Sequence, residues 1–311
     1  MPVGAQGAQR FLAHALAFRP AGESGERLRL EVGAGGEGGA VGALDDEELH
    51  RAGAGFHLTL LARDLCATLE SETGQATGFR PVGHLHLATT PQRLETLRRE
   101  AAFVRGFGVD NQELTAAEFG RLWPAAKTDD VLGAFFVPDE GRVNPADLTM
   151  AYAKGARMGG VRIIEHVAVT AITSARGRVT GVVTERGTIA AEYVVNAAGM
   201  WGREVGAMAG VSVPLQAAEH YYLITDTVEW AHPDLPIVEE PDRYGYYREE
   251  GGGILVGLFE PVAAPWSLDG IPAEVAFASL PPDWDRVGPY LAGALDRARD
   301  QRQRRRSAQS V

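Results

Sequence analysis

The chain has almost no cysteine. Cys66 stands alone among 311 residues, so no internal disulfide framework can staple the fold and a reducing compartment is the default. Its plain reading is a small apolar filler on a helix. Nowhere do about 18 apolar residues run together, and the N-terminus lacks the charged, apolar and small-residue order of a secretory signal. A cytoplasmic protein without a membrane role is expected. Positive charge is also scarce, with 30 Lys and Arg against 41 Asp and Glu and a net charge of −11. Phosphate-backbone binding needs clustered cations, so nucleic acid is not expected as a partner and a small molecule is. No G-x-S-x-G elbow and no Walker loop occurs, which leaves acyl transfer and nucleotide hydrolysis without support.

What is present suffices for one large or two modest domains, since 45% of residues are hydrophobic. Residues 1–60 hold 12 of the 38 glycines and keep neither helical nor strand periodicity, so an atypical, poorly ordered segment is expected there. From about 61 to 295 helix-like and strand-like segments alternate, the pattern of a mixed α/β protein. The expected division is 61–142 for strands and helices of a substrate domain, 143–213 for part of a nucleotide-binding domain, and 214–295 for an antiparallel sheet of the substrate domain. Residues 296–311 form an arginine-rich tail. In "RARDQRQRRR", 297–306, six of ten residues are arginine, which reads as a solvated tail.

Within 143–213, "NPADLTMAYAKGARMGG" predicts a helix with Asn144 as N-cap and Pro145 at its first position. Leu148, Tyr152 and Ala156 share a face, and Gly159 and Gly160 close it. Strands are expected at "VRII", "VAVTAI", "VTGVVTE" and "YVVNAAG". The last ends in Asn196, Ala197, Ala198 and Gly199, whose small side chains let a ligand approach bare backbone before a helix starts near Trp201. Plain close packing of strand against helix accounts for the spacing equally well. One G-x-G-x-x-G match exists, at Gly33, Gly35 and Gly38, but charged Arg29 and Glu31 precede it and no long helix pattern follows, so it reads as coincidence.

In the later region "EHYYLIT", "YGYYREE" and "ILVGLF" predict strands. Alternation places His220, Tyr222 and Ile224 on one face and Tyr244, Tyr246 and Arg248 on one face of the next strand. His220 and Tyr246 are the candidate pair, because an imidazole and a phenol lining an aromatic wall can hold an amine and tune its protonation. His84 and His86 share a strand face with acceptable ligand geometry. Two ligands do not make a site, and no third with matching spacing appears nearby, so no metal is expected. The pairs Asp129 with Asp130 and Glu239 with Glu240 read as solvated turns.

Four long blocks in order, "LESETGQATGFRPVGHLHLATTPQRLETL", "GRVNPADLTMAYAKGARMGGVRI", "VVNAAGMWGREVGAMAGVSVPLQAAEHYYLIT" and "YYREEGGGILVGLFEP", carry a resemblance. From about 64 to 295 the chain resembles FAD-dependent oxidoreductases of the D-amino-acid-oxidase fold, within them the sarcosine and dimethylglycine dehydrogenase or oxidase group. The resemblance implies a Rossmann-like FAD domain interwoven with an antiparallel-sheet substrate domain, and oxidative demethylation of a methylated amino acid. Electrons would pass to oxygen or to an acceptor protein. It implies that Val169 meets the adenine with its backbone, that Ala197, Ala198, Gly199 and Trp201 border the cofactor, and that His220 and a tyrosine of the 246–247 pair are the active-site His and Tyr. Strand alternation favours Tyr246, whose face also carries Arg248 as a carboxylate partner, with Tyr222 nearby.

The likeness stops at both ends. The family's opening strand, glycine fingerprint and tryptophan-histidine segment are not found in 1–60, and its closing flavin-contact segment is replaced by the arginine-rich stretch. An incomplete or frame-disrupted family member is therefore expected. The alternative to catalysis is a fold remnant that does not retain FAD.

Overall fold

A computed structural model describes residues 46–272, 275 and 279–298, with side chains from residue 60 onward. The sequence expectations for Gly33, Gly35 and Gly38 and for the arginines from 299 on lie outside the described residues. The chain divides into two compact units, one of residues up to Thr77 with Pro145–Leu215, the other of Gly78–Asn144 with the residues from Gln216 on. No helix among the described residues is long and apolar enough to cross a membrane.

In the first unit helix α1 (Asp46–Thr73) packs against α4 (Pro145–Met158). Helical order thus begins well before residue 60. Leu69, Thr73 and Ala151 are buried, and Gly155 lets the side chains of Thr73 and Leu69 approach α4 closely. α4 opens on Pro145, which needs no amide partner there, and Asp147 sits in its first turn. It ends where Gly160 takes φ +84 and the Val161 amide donates to the Ala156 carbonyl, a Schellman closure. A three-stranded antiparallel sheet follows, β4 (Val169–Ala175), β5 (Arg178–Thr184) and β6 (Gly187–Ala190). Arg176 and Gly177, both at positive φ, make the tight turn between the first two.

The predicted strands at 161–164 and 193–198 do not form. Neither stretch takes a strand's pairing, and Ile164, Tyr193 and Val195 are exposed. A continuously apolar strand is stable only with a hydrogen-bonding neighbour on each side. Neither stretch meets one among the described residues.

The second unit is built on a seven-stranded sheet in the order β2-β3-β1-β8-β9-β10-β7. Its strands are β1 (His84–Ala88), β2 (Gln112–Leu114), β3 (Gly133–Val137), β7 (Tyr222–Ile224), β8 (Ile237–Glu240), β9 (Gly245–Glu250) and β10 (Gly253–Leu258). Neighbours are antiparallel except β1 and β8, which run parallel with His86 opposite Glu239. One face is core. Leu85, Leu87, Val238, Tyr247, Ile254, Val256 and Leu258 project there against Val287 and Ala294 of α6 (Trp284–Arg297) and against Phe119 and Trp123 at the end of α3 (Ala116–Leu122). On the opposite face α2 (Pro91–Arg105) covers only Ala88 and Phe135, with Leu97 and Ala101. The remainder of that face is where the candidate residues gather.

Candidate active site

Pleating sends alternate residues to opposite faces, and register then decides who meets whom. Tyr246 of β9 lies opposite Glu239 of β8 on one side and Gly257 of β10 on the other, and Gly257 in turn lies opposite Tyr222 of β7. Arg248 lies opposite Leu255. Tyr222, Tyr246, Arg248 and Glu239 therefore share the face away from the core. Tyr247 points the other way, fully buried, its hydroxyl donating to Glu240 at 3.3 Å. Burial, with the Glu240 charge behind it, pushes the Tyr247 phenol far above its usual range.

His220 closes on Tyr246 with its Nε2 3.2 Å from the phenol oxygen and the two rings nearly parallel, 7° apart. Phe259, just past β10, completes a three-ring cluster at 5.3 Å from His220 and 5.1 Å from Tyr246. Burial pushes the Tyr246 phenol up, against the opposing pull of Arg248. The phenol is a neutral hydrogen-bonding group at physiological pH. Arg248 pairs with Glu250 two residues on, at 2.8 Å. A guanidinium has five donors, so this pair leaves capacity for a second carboxylate.

The segment carrying His220 is fixed by its neighbours. Its backbone pairs with the passing segment 264–266, Glu219 N donating to Ala264 O at 2.9 Å and Trp266 N to Ala217 O at 2.8 Å. Glu219 accepts from the Tyr221 hydroxyl at 2.9 Å and from Arg286 at 2.8 Å, and Arg286 also binds Asp283 and Glu260 and lies over the Tyr221 ring. Residues 219 and 221 thus anchor toward α6, leaving His220 on the open side.

Two members of the wall escaped the sequence reading. Phe259 follows a strand whose six residues are all buried, so alternation carried no signal. Gly257 is the other. A Cβ there would stand 1.9 Å from the Tyr246 ring, so the ring rests directly on β10 backbone. A lone glycine inside an apolar strand is the available clue to such an approach.

Several sequence expectations are corrected. Tyr244 does not share the Tyr246 face. It caps a short 3₁₀ turn at φ +60, and its ring packs edge-on against Tyr290 of α6. Glu240 and Asp130 are not solvated turn residues and Arg297 is not part of a solvated tail. Arg297 and Glu240 are fully buried and paired through Nε–Oε2 at 3.0 Å and Nη2–Oε1 at 2.5 Å, and Asp130 accepts from Arg297 at 2.7 and 3.1 Å. Sequence spacing cannot pair groups 57 and 167 residues apart. Glu239, also read as solvated, stands beside His84 and His86, its carboxylate 3.6 and 3.7 Å from one ring nitrogen of each. Burial, then the neighbouring His84 ring, hold the His86 imidazole down at about 4, with Glu140 opposing.

In the first unit the junction after residue 195 is shaped by Asn196. Its Oδ1 accepts from the Ala198 amide at 3.2 Å and its Nδ2 donates to the Gly202 carbonyl at 2.7 Å. Gly199 opens a 3₁₀ turn through Trp201, which runs into the two-turn helix α5 (Gly202–Met208) packed against β4. Gly199 takes φ +54, and a Cβ built there meets nothing within 4 Å. Ala197 is exposed, Ala198 buried and Trp201 half-buried. Val169 is the first residue of β4, half-buried and paired with Thr184. The backbone at 197–199 is thus reachable by a flat group at van der Waals distance.

Comparison with known proteins agrees with this architecture. The family model described as FAD dependent oxidoreductase (DAO) matches residues 29–307. The chain is 36% identical over 240 residues to 4-methylaminobutanoate oxidase (formaldehyde-forming) of Paenarthrobacter nicotinovorans, covering 76% of this chain and 29% of that protein. It is 36% identical over 234 residues to mitochondrial sarcosine dehydrogenase of Mus musculus, covering 74% of this chain and 25% of that one. The chain therefore spans less than a third of the length of either enzyme. Among solved structures, glycine oxidase from Geobacillus kaustophilus superposes with a TM-score of 0.55 at 27% identity, covering 77% of this chain and 61% of that one. With most of its length matched, the chain belongs to the DAO family of FAD-dependent oxidoreductases.

Proposed function

We propose that this chain serves FAD-dependent oxidative demethylation of a small methylated amino acid of the sarcosine or dimethylglycine type. The observation that carries the reading is the His220–Tyr246–Phe259 cluster with Arg248 on the same sheet face. An ammonium group resting on electron-rich ring faces is attracted by their quadrupole, and the His220 imidazole beside them can take its proton, freeing the nitrogen lone pair that the oxidation requires. The Tyr246 phenol oxygen accepts from the His220 Nε2–H and fixes the imidazole, leaving Nδ1 to take the proton. Arg248 takes the substrate carboxylate while keeping its tie to Glu250. Phe259 and Gly257 supply a wall without competing polar groups.

Val169, Ala197, Ala198, Gly199 and Trp201 would hold the cofactor, the open backbone at Gly199 being the feature that fits a flat ring system. When bound, FAD would supply the acceptor for the hydride equivalent leaving the carbon next to nitrogen. Water adds to the resulting iminium, which releases formaldehyde and the demethylated amine. The electron acceptor is oxygen or a carrier protein, and the setting is the cytoplasm.

The test uses the full chain incubated with excess FAD, desalted, and assayed for flavin per protein by visible absorbance. Near-stoichiometric flavin that bleaches anaerobically with sarcosine, dimethylglycine or 4-methylaminobutanoate supports the reading. Absence of bound flavin replaces it with the non-catalytic alternative, and bound flavin that none of the three amines bleaches removes the substrate assignment.

A further inference from the structure

On the same sheet face as the amine wall, one and two strands away from Tyr246, three metal-ligating side chains converge that the proposed reaction does not use. His84 and His86 project from β1 at alternate positions, and Glu239 projects from the parallel neighbour β8 directly opposite His86. Their ring centroids are 4.2 Å apart, and one ligand atom from each of the three residues lies within 4.8 Å of the others.

The hydrogen bonding around the cluster is what distinguishes it from an ordinary polar patch. His84 Nδ1 lies 2.7 Å from Glu140 Oε2. An ionised carboxylate can only accept, so this contact places a proton on Nδ1, and in the neutral imidazole the lone pair then lies on Nε2. That Nε2 is buried and has no hydrogen-bond partner. The Glu239 carboxylate makes no hydrogen bond to a described residue. Its Oε2 instead stands 3.6 Å from His84 Nε2 and 3.7 Å from His86 Nδ1, too far to bond either and nearly equidistant from both. With both imidazoles neutral, three electron-pair donors thus face one point.

We propose that His84 Nε2, His86 Nδ1 and Glu239 Oε2 bind a divalent transition-metal ion of the zinc type, with Glu140 orienting His84 from behind. Metal–nitrogen and metal–oxygen bonds of about 2.0–2.2 Å at tetrahedral angles put neighbouring ligand atoms about 3.4 Å apart, so the two separations from Glu239 need to shorten by about 0.2 and 0.3 Å, and the two histidine nitrogens, within 4.8 Å of each other, by at most about 1.4 Å. Two imidazoles with one carboxylate exclude calcium and magnesium, which take oxygen ligands, and suit zinc and its late first-row neighbours. The carboxylate–histidine contact behind His84 is the usual support of a metal-bound imidazole. All three ligands are partly exposed, leaving the remaining coordination positions open to water. The bound ion ties β1 to β8 at the sheet's single parallel pairing.

The site is tested with zinc chloride alone on the full chain. Equilibrium dialysis at pH 7.5 should show one bound zinc that is lost in the His84→Gln, His86→Gln, Glu239→Gln triple variant. Glu140→Gln should weaken binding about 10- to 100-fold, as loss of an outer partner does elsewhere. His232→Gln, at an exposed histidine outside the cluster, should leave affinity unchanged. Equal zinc uptake by wild type and triple variant overturns the proposal. X-ray absorption at the zinc edge of the loaded wild-type chain, which needs no substitution, should read two imidazoles and oxygen, and fewer than two imidazoles would equally overturn it.

Discussion

Removing Arg297 should be the most damaging single change in the second unit. Its guanidinium is fully buried and neutralises Glu240, itself at 0% exposure, while also meeting Asp130 and the Lys127 carbonyl. Burial works against the charge, yet Glu240 and Asp130 hold the Arg297 guanidinium well above its usual range. In Arg297→Met the Glu240 carboxylate stays buried with only the Tyr247 hydroxyl and Arg243, each at 3.3 Å. Stranding a buried charge costs about 3–5 kcal/mol, and these two surviving contacts place the loss near the lower end, about 3 kcal/mol. Against a typical total of about 5–15 kcal/mol this is a large fraction. With a urea slope of about 3 kcal/mol per molar, the midpoint should fall by about 1 M, read by tryptophan fluorescence. The double variant Arg297→Met, Glu240→Met should recover at least half of the loss, because Asp130 and Arg243 still pair with each other. A single-variant loss below about 1 kcal/mol, or a double variant no better than the single, would refute the reasoning.

Gly257→Ala should drive the Tyr246 ring off β10 and away from His220, lowering kcat/KM at least about tenfold with the far-ultraviolet circular dichroism unchanged; wild-type kinetics would show that the ring does not need that seat. Arg248→Gln should raise KM for a carboxylate-bearing amine more than it lowers kcat, and equal effects on substrates with and without the carboxylate would remove its assigned role. Asp242 accepts from Arg93 Nε at 3.0 Å and from the amide and hydroxyl of Thr89 at 3.2 and 3.1 Å. Partial burial pushes its carboxyl up, and these partners more than offset that, holding it below the usual range. Its contribution is therefore fully present above the unfolded carboxylate value of about 3.9 and is lost as pH falls through the folded one. Asp242→Asn should lose about 2 kcal/mol at pH 7, with the gap to wild type closing below about pH 4; a gap independent of pH in urea titrations would contradict this.

The face that carries the candidate site was legible because pleating is a strict rule. Once "YGYYREE" is a strand, Tyr246 and Arg248 must share a side and Tyr247 must take the other, which is how the two tyrosines separate into wall and core. Local rules failed where a partner is distant. Glu239 and Glu240 are adjacent, yet one meets histidines from β1 and the other an arginine at the end of α6, and nothing within a few residues of either announces it. The apolar runs "VRII" and "YVVNAAG" mislead in the opposite sense. Composition favours a strand in both, but strand formation is decided by neighbours that a local pattern does not contain.

The parallel pairing of β1 with β8 also governs how the protein is made. β1, β2, β3 and α2 lie within residues 84–137 and can assemble early, whereas β8 leaves the ribosome about 150 residues after β1. At about 5–20 residues per second this leaves the β1 edge without its neighbour for about 8–30 s during synthesis. Throughout that interval the nascent subassembly presents an unpaired strand to other chains, so yield during expression should respond to translation speed and to chaperone supply more than the finished fold's stability would suggest.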